Sequence, residues 1–211
     1  GDSKGGKRVV IRSPVVIRNS SARALDIKFG DHKVPGNFEP SGQELPLEVL
    51  HTAGHFGDGQ LMLRPSRAGR VGNLYTWSRR LCGKTLSHMR QGLGQSFQLS
   101  CIAIDGSSPD FVISVYVVNT DGQTYIEFLP PLVIENALAC DCQVYMRDQT
   151  GGNVFATDVM SGGKTKVHEI DLPSGQNTMV IATAGFTGEL RQHGNSWPDT
   201  IRLRNREGQS L

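Results

Sequence analysis

The sequence contains two copies of one short motif, separated by the length of a domain. Residues 13–19 read Ser-Pro-Val-Val-Ile-Arg-Asn, and residues 130–136 read Pro-Pro-Leu-Val-Ile-Glu-Asn. The two copies lie 117 positions apart, and the same offset aligns Ile27 with Val144 in the next apolar run. Self-similarity at this spacing predicts two tandem copies of one structural unit.

The rest of the pattern is typical of β-structure. Short aliphatic runs alternate with turn residues, and the chain holds 25 glycines and 10 prolines among its 211 residues. Residues 25–29 alternate apolar and polar side chains, as a half-buried strand does. Residues 111–118 end at Asn-Thr-Asp-Gly, and residues 123–129 form the return arm of a predicted hairpin. The one segment with helical spacing, residues 73–89, is interrupted by Gly83. These patterns predict an all-β fold of two tandem β-sandwich-like repeats.

The repeat spacing also predicts the extent of each unit. The first unit is expected to span residues 7–124 and the second residues 125–211. The second is about thirty residues shorter than the repeat spacing, so we expect it to lack its closing strands and the chain to be part of a longer array. Residues 1–6 are polar and glycine-rich, and we expect a flexible lead there rather than a signal peptide.

Charge, hydropathy and cysteine content limit the class of protein. The formal net charge is +2, so no overall field favours nucleic acid or a membrane surface. No apolar run approaches the roughly 18 residues that a transmembrane helix needs. The four cysteines, Cys82, Cys101, Cys140 and Cys142, are too few for a disulfide scaffold of this size. A reducing, cytoplasmic compartment is the simplest interpretation.

The asparagine that ends each copy of the motif, Asn19 or Asn136, is the first candidate site. Proline starts an extended strand, the apolar run is buried, and asparagine tolerates left-handed backbone and bonds nearby backbone groups. One interpretation is that both asparagines close a turn between strands. The other is that they contact a ligand. The motif favours the structural interpretation.

The six histidines and four cysteines form no recognisable catalytic or metal-binding pattern. No Gly-x-Ser-x-Gly motif occurs, and no histidine lies in a nucleophile motif. Cys140 and Cys142 are separated by one residue, a spacing that favours alternate positions of one strand over a zinc site. We therefore predict that the protein is not an enzyme and holds neither a metal nor a cofactor.

A block of positive charge lies between Asp58 and Asp105, where the sequence holds no acidic residue. One interpretation is contact with acidic lipid headgroups, at about 1 kcal/mol per basic residue, or with an acidic partner, and Arg79, Arg80 and Lys84 are the candidate contacts. The other is a solvated loop over the sandwich, and it is favoured. Nucleic acid is not expected, because no base-stacking aromatic motif accompanies the charge. The basic residues of the block are Arg64, Arg67, Arg70, Arg79, Arg80, Lys84 and Arg90.

The two motif copies resemble the adaptor-binding domain, often called VAB, of the vacuolar-protein-sorting-thirteen (chorein) family of bridge-like lipid-transfer proteins. That domain is built from tandem β-rich repeats, each with a characteristic asparagine. The matching residues are 13–19 and, more specifically, 129–136, which read Leu-Pro-Pro-Leu-Val-Ile-Glu-Asn. The resemblance covers nearly the whole chain after Gly6, as two consecutive repeats that are similar to early repeats of the array.

The resemblance implies a non-enzymatic recruitment module. Adaptors of the family carry a short proline-x-proline motif that docks on this domain, and docking takes the lipid-transfer protein to organelle membranes and contact sites. The implied partners are such adaptors and neighbouring repeats of the same chain. We expect a docked motif to add a strand to an exposed sheet edge, with the second repeat as the better candidate.

Two alternatives to the recruitment module stay open. One is a peripheral membrane or phosphoinositide-binding module that uses the basic stretch of residues 64–90. The other is a pair of scaffold repeats that bind no ligand of their own. The scaffold alternative arises because motif binding in the family is associated with later repeats. Vesicle flotation and peptide titration would separate these possibilities.

Overall fold

The computed structural model describes most of the predicted β-structure. Within the described residues the chain forms fifteen strands and no helix, so the predicted all-β fold is confirmed. The segment with helical spacing includes the short strand Leu81–Cys82. No helix of the described part is long and apolar enough to cross a membrane. The described residues are 13, 15–30, 32–33, 38–40, 44–46, 60–66, 74–82, 95–106, 108–120, 123–147, 150–168, 177–191 and 204.

The first unit contains a five-stranded sheet. Its spatial order is β4 (Glu44–Pro46), β1 (Val15–Asn19), β9 (Gln123–Leu129), β8 (Phe111–Thr120) and β7 (Gln95–Cys101). β1 pairs antiparallel with β4 and parallel with β9, in a register that sets Ile17 opposite Ile126. β8 pairs antiparallel with both β7 and β9. The hairpin predicted between residues 111–118 and 123–129 is therefore confirmed.

A second sheet of the first unit shares its core with the five-stranded sheet. Its order is β3 (His32–Lys33), β2 (Leu25–Phe29), β5 (Gln60–Pro65) and β6 (Leu81–Cys82). One cluster of buried apolar side chains joins the two sheets, with Ile17, Phe111 and Phe128 from the first and Ile27 and Leu63 from the second. Because each sheet buries the apolar face of the other, the first unit is a β-sandwich.

The second unit repeats this plan with fewer described strands. A two-stranded sheet pairs β10 (Leu132–Glu135) with β13 (Lys164–Val167) in antiparallel fashion. A four-stranded sheet has the order β12 (Asn153–Val159), β11 (Cys142–Arg147), β14 (Thr178–Thr183) and β15 (Phe186–Arg191). Both sheets contribute to a smaller buried cluster that includes Val144, Met146 and Val167.

The strand pairings of the two units correspond. β10 pairs with β13 as β1 pairs with β4, and β11 pairs with β14 as β2 pairs with β5. Arg18 of β1 forms an ion pair with Glu44, and the corresponding Glu135 forms one with Lys164 at 2.8 Å. The basic residue lies on the first strand of the pair in the first unit and on the second strand of the pair in the second unit. Pairing of β1 with β13 would bring Arg18 against Lys164, and like charges on paired strands are destabilising.

β9 crosses the boundary that the sequence predicts between the units. The sequence predicts a second unit that begins at residue 125, whereas β9 lies between β1 and β8 and buries Ile126 and Phe128 in the first core. A repeat offset does not reveal which strands pair, because the pairing of β9 with β1 is a contact between distant residues. We propose that the first unit ends at Leu129 and that the second begins at Pro130.

Cys101, Cys140 and Cys142 are free thiols. Cys101 is buried in the first core, with its Sγ 3.4 Å from the carbonyl oxygen of Leu63. Burial, and then the charge of the Asp110 carboxylate, raise the pKa of Cys101 from 9.0 to about 12. Burial also raises the pKa of Cys142, whereas Cys140 is exposed.

Alkylation should therefore distinguish these thiols. We expect iodoacetamide to modify Cys140 in the native protein and to leave Cys101 unmodified, because the reactive species is the thiolate. Peptide mass spectrometry measures both sites in one sample. Equal labelling of Cys101 and Cys140 in folded protein would contradict this expectation.

The contribution of Cys101 to stability should be fully present below pH 9.0 and be lost as pH rises toward about 12, since ionisation favours the unfolded chain.

Candidate functional site

Asn19 ends β1, and its side-chain amide is fully buried. Its Nδ2 donates to the carbonyl oxygen of Arg23 at 2.9 Å and to that of Phe38 at 2.6 Å. Its Oδ1 accepts the backbone N–H of Ser21 at 3.1 Å and the Ser21 hydroxyl at 2.6 Å. The amide therefore closes the turn from β1 to β2 and ties that turn to a segment nineteen positions away.

Asn136, at the equivalent position after β10, makes the same set of backbone contacts. Its Nδ2 donates to the carbonyl oxygens of Cys140 at 2.9 Å and Val159 at 2.8 Å. Its Oδ1 accepts the backbone N–H of Leu138 at 3.0 Å. Both N–H groups of each amide are thus used on the protein's own backbone. This geometry favours the turn-closing interpretation of the two asparagines over contact with a ligand.

The turn that Asn19 shapes is also where the second unit contacts the first. The His168 ring is 1% exposed and stacks on Phe111 with ring centroids 4.4 Å apart. Its Nε2 accepts the backbone N–H of Ala22 at 3.2 Å, and its Nδ1–H donates to the carbonyl oxygen of Val112 at 2.8 Å. A neutral ring with the proton on Nδ1 satisfies both hydrogen bonds.

Lys166 extends the contact between the units. Its Nζ donates to the carbonyl oxygens of Ser20 at 2.7 Å and Ser21 at 3.3 Å. The backbone N–H of Val112 donates to the carbonyl oxygen of His168 at 2.9 Å. Sequence reasoning missed this contact, because the two ring partners of His168 lie 56 and 146 positions away. We call it the inter-unit joint, made of Ser20, Ser21, Ala22, Phe111, Val112, Lys166 and His168.

The basic block of the sequence is divided in the structure, and Arg64 is turned inward. The Nε of Arg64 lies 3.1 Å from Oδ2 of the buried Asp26, which Lys33 also approaches at 3.3 Å. The Arg64 guanidinium lies 4.2 Å from the centroid of the Trp77 ring, and the Nζ of Lys28 lies 4.7 Å from it. Arg64 is therefore occupied by partners within the first unit.

Among the described residues of the same block, Arg79 and Arg80 are exposed. Arg79 Nη2 donates to the carbonyl oxygen of Gln98 at 3.4 Å, which holds the side chain beside β7. Lys84, the third residue that the sequence suggests for an acidic surface, lies outside the described residues. The structure therefore brings two of the three candidate basic residues together at the surface of the first unit.

Cys140 and Cys142 do not occupy one strand, contrary to the expectation from their spacing. β11 begins at Cys142, which is buried, and Cys140 lies in the preceding turn, which is exposed. The turn forms because Asn136 holds the carbonyl oxygen of Cys140. Across the described ranges, no group of three His, Cys, Asp or Glu side chains could hold a metal ion.

One edge of β10 has no partner among the described strands. In the first unit β1 lies between β4 and β9, whereas the only described partner of β10 is β13. The difference appears in the exposure of side chains, since Val16 is 4% exposed and the equivalent Val133 is 50% exposed. Leu132 and Ile134 pack against the second core and are only partly buried. Such an edge, with backbone groups facing outward beside apolar side chains, can accept an extended segment.

The sequence predicts an open edge in the second unit without identifying the strand that carries it. The signal was nevertheless present, because the repeat offset aligns Val133 with Val16 and the partner of β1 comes from the end of the first unit.

A family model described as Vacuolar-sorting associated protein 13, adaptor binding domain, matches residues 2–182. A search of curated proteins found no match.

Proposed function

Because the chain belongs to the VPS13 adaptor-binding domain family, we propose that it binds adaptor proteins through short proline-x-proline segments. Binding recruits a bridge-like lipid-transfer protein to organelle membranes and contact sites. The docking position is the open edge of β10. In this proposal the module has no catalytic role, and it acts in the cytoplasm beside neighbouring repeats of the same array.

The observation that carries the proposal is the pairing of β1 with β9 inside the same protein. β9 runs parallel to β1, with Val15 opposite Thr124 and Ile17 opposite Ile126. β10 repeats both the sequence of β1 and its antiparallel pairing, but no described strand lies on its other side. An extended segment of an adaptor can take on β10 the position that β9 takes on β1.

A proline-x-proline segment suits such an edge for a backbone reason. Along a strand, alternate residues direct their N–H and C=O groups toward the same neighbour. When the middle residue of the motif pairs with β10, both prolines face away from it, where no N–H is needed. The two proline rings then lie on one face of the added strand, within reach of apolar side chains of β10.

A charge at residue 133 should weaken the binding of an adaptor peptide. We expect the full chain to bind a labelled proline-x-proline peptide with a Kd in the micromolar range, since a short motif buries little area and loses chain entropy on ordering. Val133→Asp should raise the Kd at least about tenfold, because the new carboxylate loses water when the peptide docks. Fluorescence anisotropy of the labelled peptide measures both values.

Ile102→Asp is the matched control for this experiment. Ile102 is 59% exposed, close to the 50% of Val133, but it lies in the first unit. The control should bind the peptide as the parent does, and a peptide with alanine in place of both prolines should bind more weakly. Equal binding by Val133→Asp and the parent would contradict the β10 site. Binding only by a longer array of repeats would favour the scaffold alternative.

A further inference from the structure

Three exposed apolar side chains lie together on the first unit. Tyr75 and Ala103 form an antiparallel bridge, which sets Leu74 opposite Ile104. Ile102 lies two residues before Ile104 on the same chain segment. The backbone N–H of Ile104 donates to the carbonyl oxygen of Leu74 at 2.8 Å. Leu74, Ile102 and Ile104 therefore occupy one face of a short ribbon, and we call them the apolar patch.

The apolar patch faces solvent because of the alternation of an extended chain. Tyr75 and Ala103 are each 6% exposed and belong to the first core, so their neighbours in sequence point to the opposite face. Leu74 is 47% exposed, Ile102 59% and Ile104 62%, and they are three of the five exposed large apolar side chains among the described residues. Exposed apolar side chains gathered in one place mark an interaction surface.

Two arginines follow the apolar patch on the chain segment that contains Leu74. The backbone N–H of Ser78 already donates to the carbonyl oxygen of Leu63 in β5 at 2.8 Å, but the Arg79 side chain reaches back to the carbonyl oxygen of Gln98 in β7. Both Arg79 and Arg80 are exposed. The sequence carries no acidic residue from residue 59 to residue 104, so no carboxylate from this stretch opposes them.

Two carboxylates that follow the apolar patch in sequence are hydrogen-bonded within the protein. Asp105 follows Ile104, and its side chain accepts the backbone N–H of Ser108 at 3.0 Å and the Ser108 hydroxyl at 2.7 Å. Asp110 accepts the backbone N–H of Ala103 at 3.2 Å. Both carboxylates hold the turn after β7. Asp105 is exposed and keeps its charge, so the described exposed charges near the patch are this one carboxylate and the two guanidinium groups of Arg79 and Arg80.

We propose that the apolar patch, together with Arg79 and Arg80, docks on an anionic lipid bilayer. A bilayer offers both kinds of partner at one boundary, with anionic headgroups outside and acyl chains directly beneath. The apolar side chains enter that boundary, and the guanidinium groups pair with lipid phosphate and serine carboxylate groups. This surface lies in the first unit and the β10 edge in the second, so the two binding activities are separable by mutation.

Flotation of the full chain with vesicles tests the proposal. The parent should float with vesicles of phosphatidylcholine and phosphatidylserine, more at low salt than at high salt, and not with vesicles of phosphatidylcholine alone. Arg79→Glu combined with Arg80→Glu should lower vesicle partitioning at least about tenfold, since one arginine near an anionic surface contributes about fivefold. Thermal unfolding should be unchanged, because both side chains are solvated.

A patch variant separates insertion from charge attraction. Leu74→Ser combined with Ile102→Ser and Ile104→Ser should abolish flotation while both arginines stay in place. Met160→Ser, which changes an exposed apolar residue of the second unit outside the β10 edge, should float as the parent does. Failure of the parent to float at low salt overturns the proposal, and so does flotation of the folded patch variant at the parental level. If the patch variant does not fold, parental flotation by the arginine variant is the result that overturns it.

Discussion

Asn136→Ala should lower the free energy of unfolding of the second unit by about 3 kcal/mol, and Asn19→Ala should do the same to the first unit. Each substitution removes an amide that bonds two carbonyl groups and one backbone N–H. A buried polar group left without a partner costs about 1–3 kcal/mol. Both amides are buried, so water cannot replace the lost bonds without opening the turn.

Hydrogen exchange in increasing denaturant measures these effects in each unit separately. Asn119→Ala and Asn153→Ala are matched controls, because both asparagines are exposed, one in each unit. The controls should change stability by less than about 0.5 kcal/mol. If Asn19→Ala and Asn136→Ala unfolded as the parent does, the turn-closing role would be wrong, and contact with a ligand would become the better interpretation.

His168→Ala should uncouple the second unit from the first, with a loss of about 3 kcal/mol of stabilisation. The substitution removes the ring that stacks on Phe111 and leaves the N–H of Ala22 and the carbonyl of Val112 without their ring partners. Because the ring is almost fully buried, a cavity is added to the lost hydrogen bonds.

Amide exchange at Ala22 and unfolding transitions followed in each unit measure this uncoupling. We expect faster exchange at Ala22 and two separate transitions in place of a shared one. Lys166→Ala is the matched control, since it removes only the outer hydrogen bonds of the inter-unit joint and should cost less than about 1 kcal/mol. Parental exchange at Ala22 in the His168→Ala variant would contradict the role of the ring.

The stability losses from Asn19→Ala and His168→Ala should be coupled, because both substitutions act on one turn of the first unit. Asn19 holds Ser21 and Arg23, and His168 binds the backbone of Ala22 between them. Loss of either side chain loosens the same turn, so the double variant should lose less stability than the two single variants added together. The equivalent combination of Asn136→Ala with His168→Ala should be closer to additive.

The sequence by itself determined the two-repeat pattern, the β class and the position of two turn asparagines. All three depend on local signals, namely a proline, a run of apolar residues and an asparagine at the next turn, repeated 117 positions later. Asn19 and Asn136 ended up with equivalent contacts because the same local motif places each amide at the same point of its turn. The hairpin of β8 and β9 follows from equally local turn chemistry.

Only the tertiary structure decided which strands pair and which basic side chains of the described residues lie at the surface. β1 pairs with β9, so residues 125–129 belong with the first sheet although their sequence adjoins the second motif. Arg64 and Arg79 belong to one basic block of the sequence. Arg64 contacts Asp26 and the Trp77 ring, whereas Arg79 is exposed. These outcomes depend on contacts between residues far apart in the chain. A shift of one residue in register would exchange buried and exposed faces, and no local pattern specifies that register.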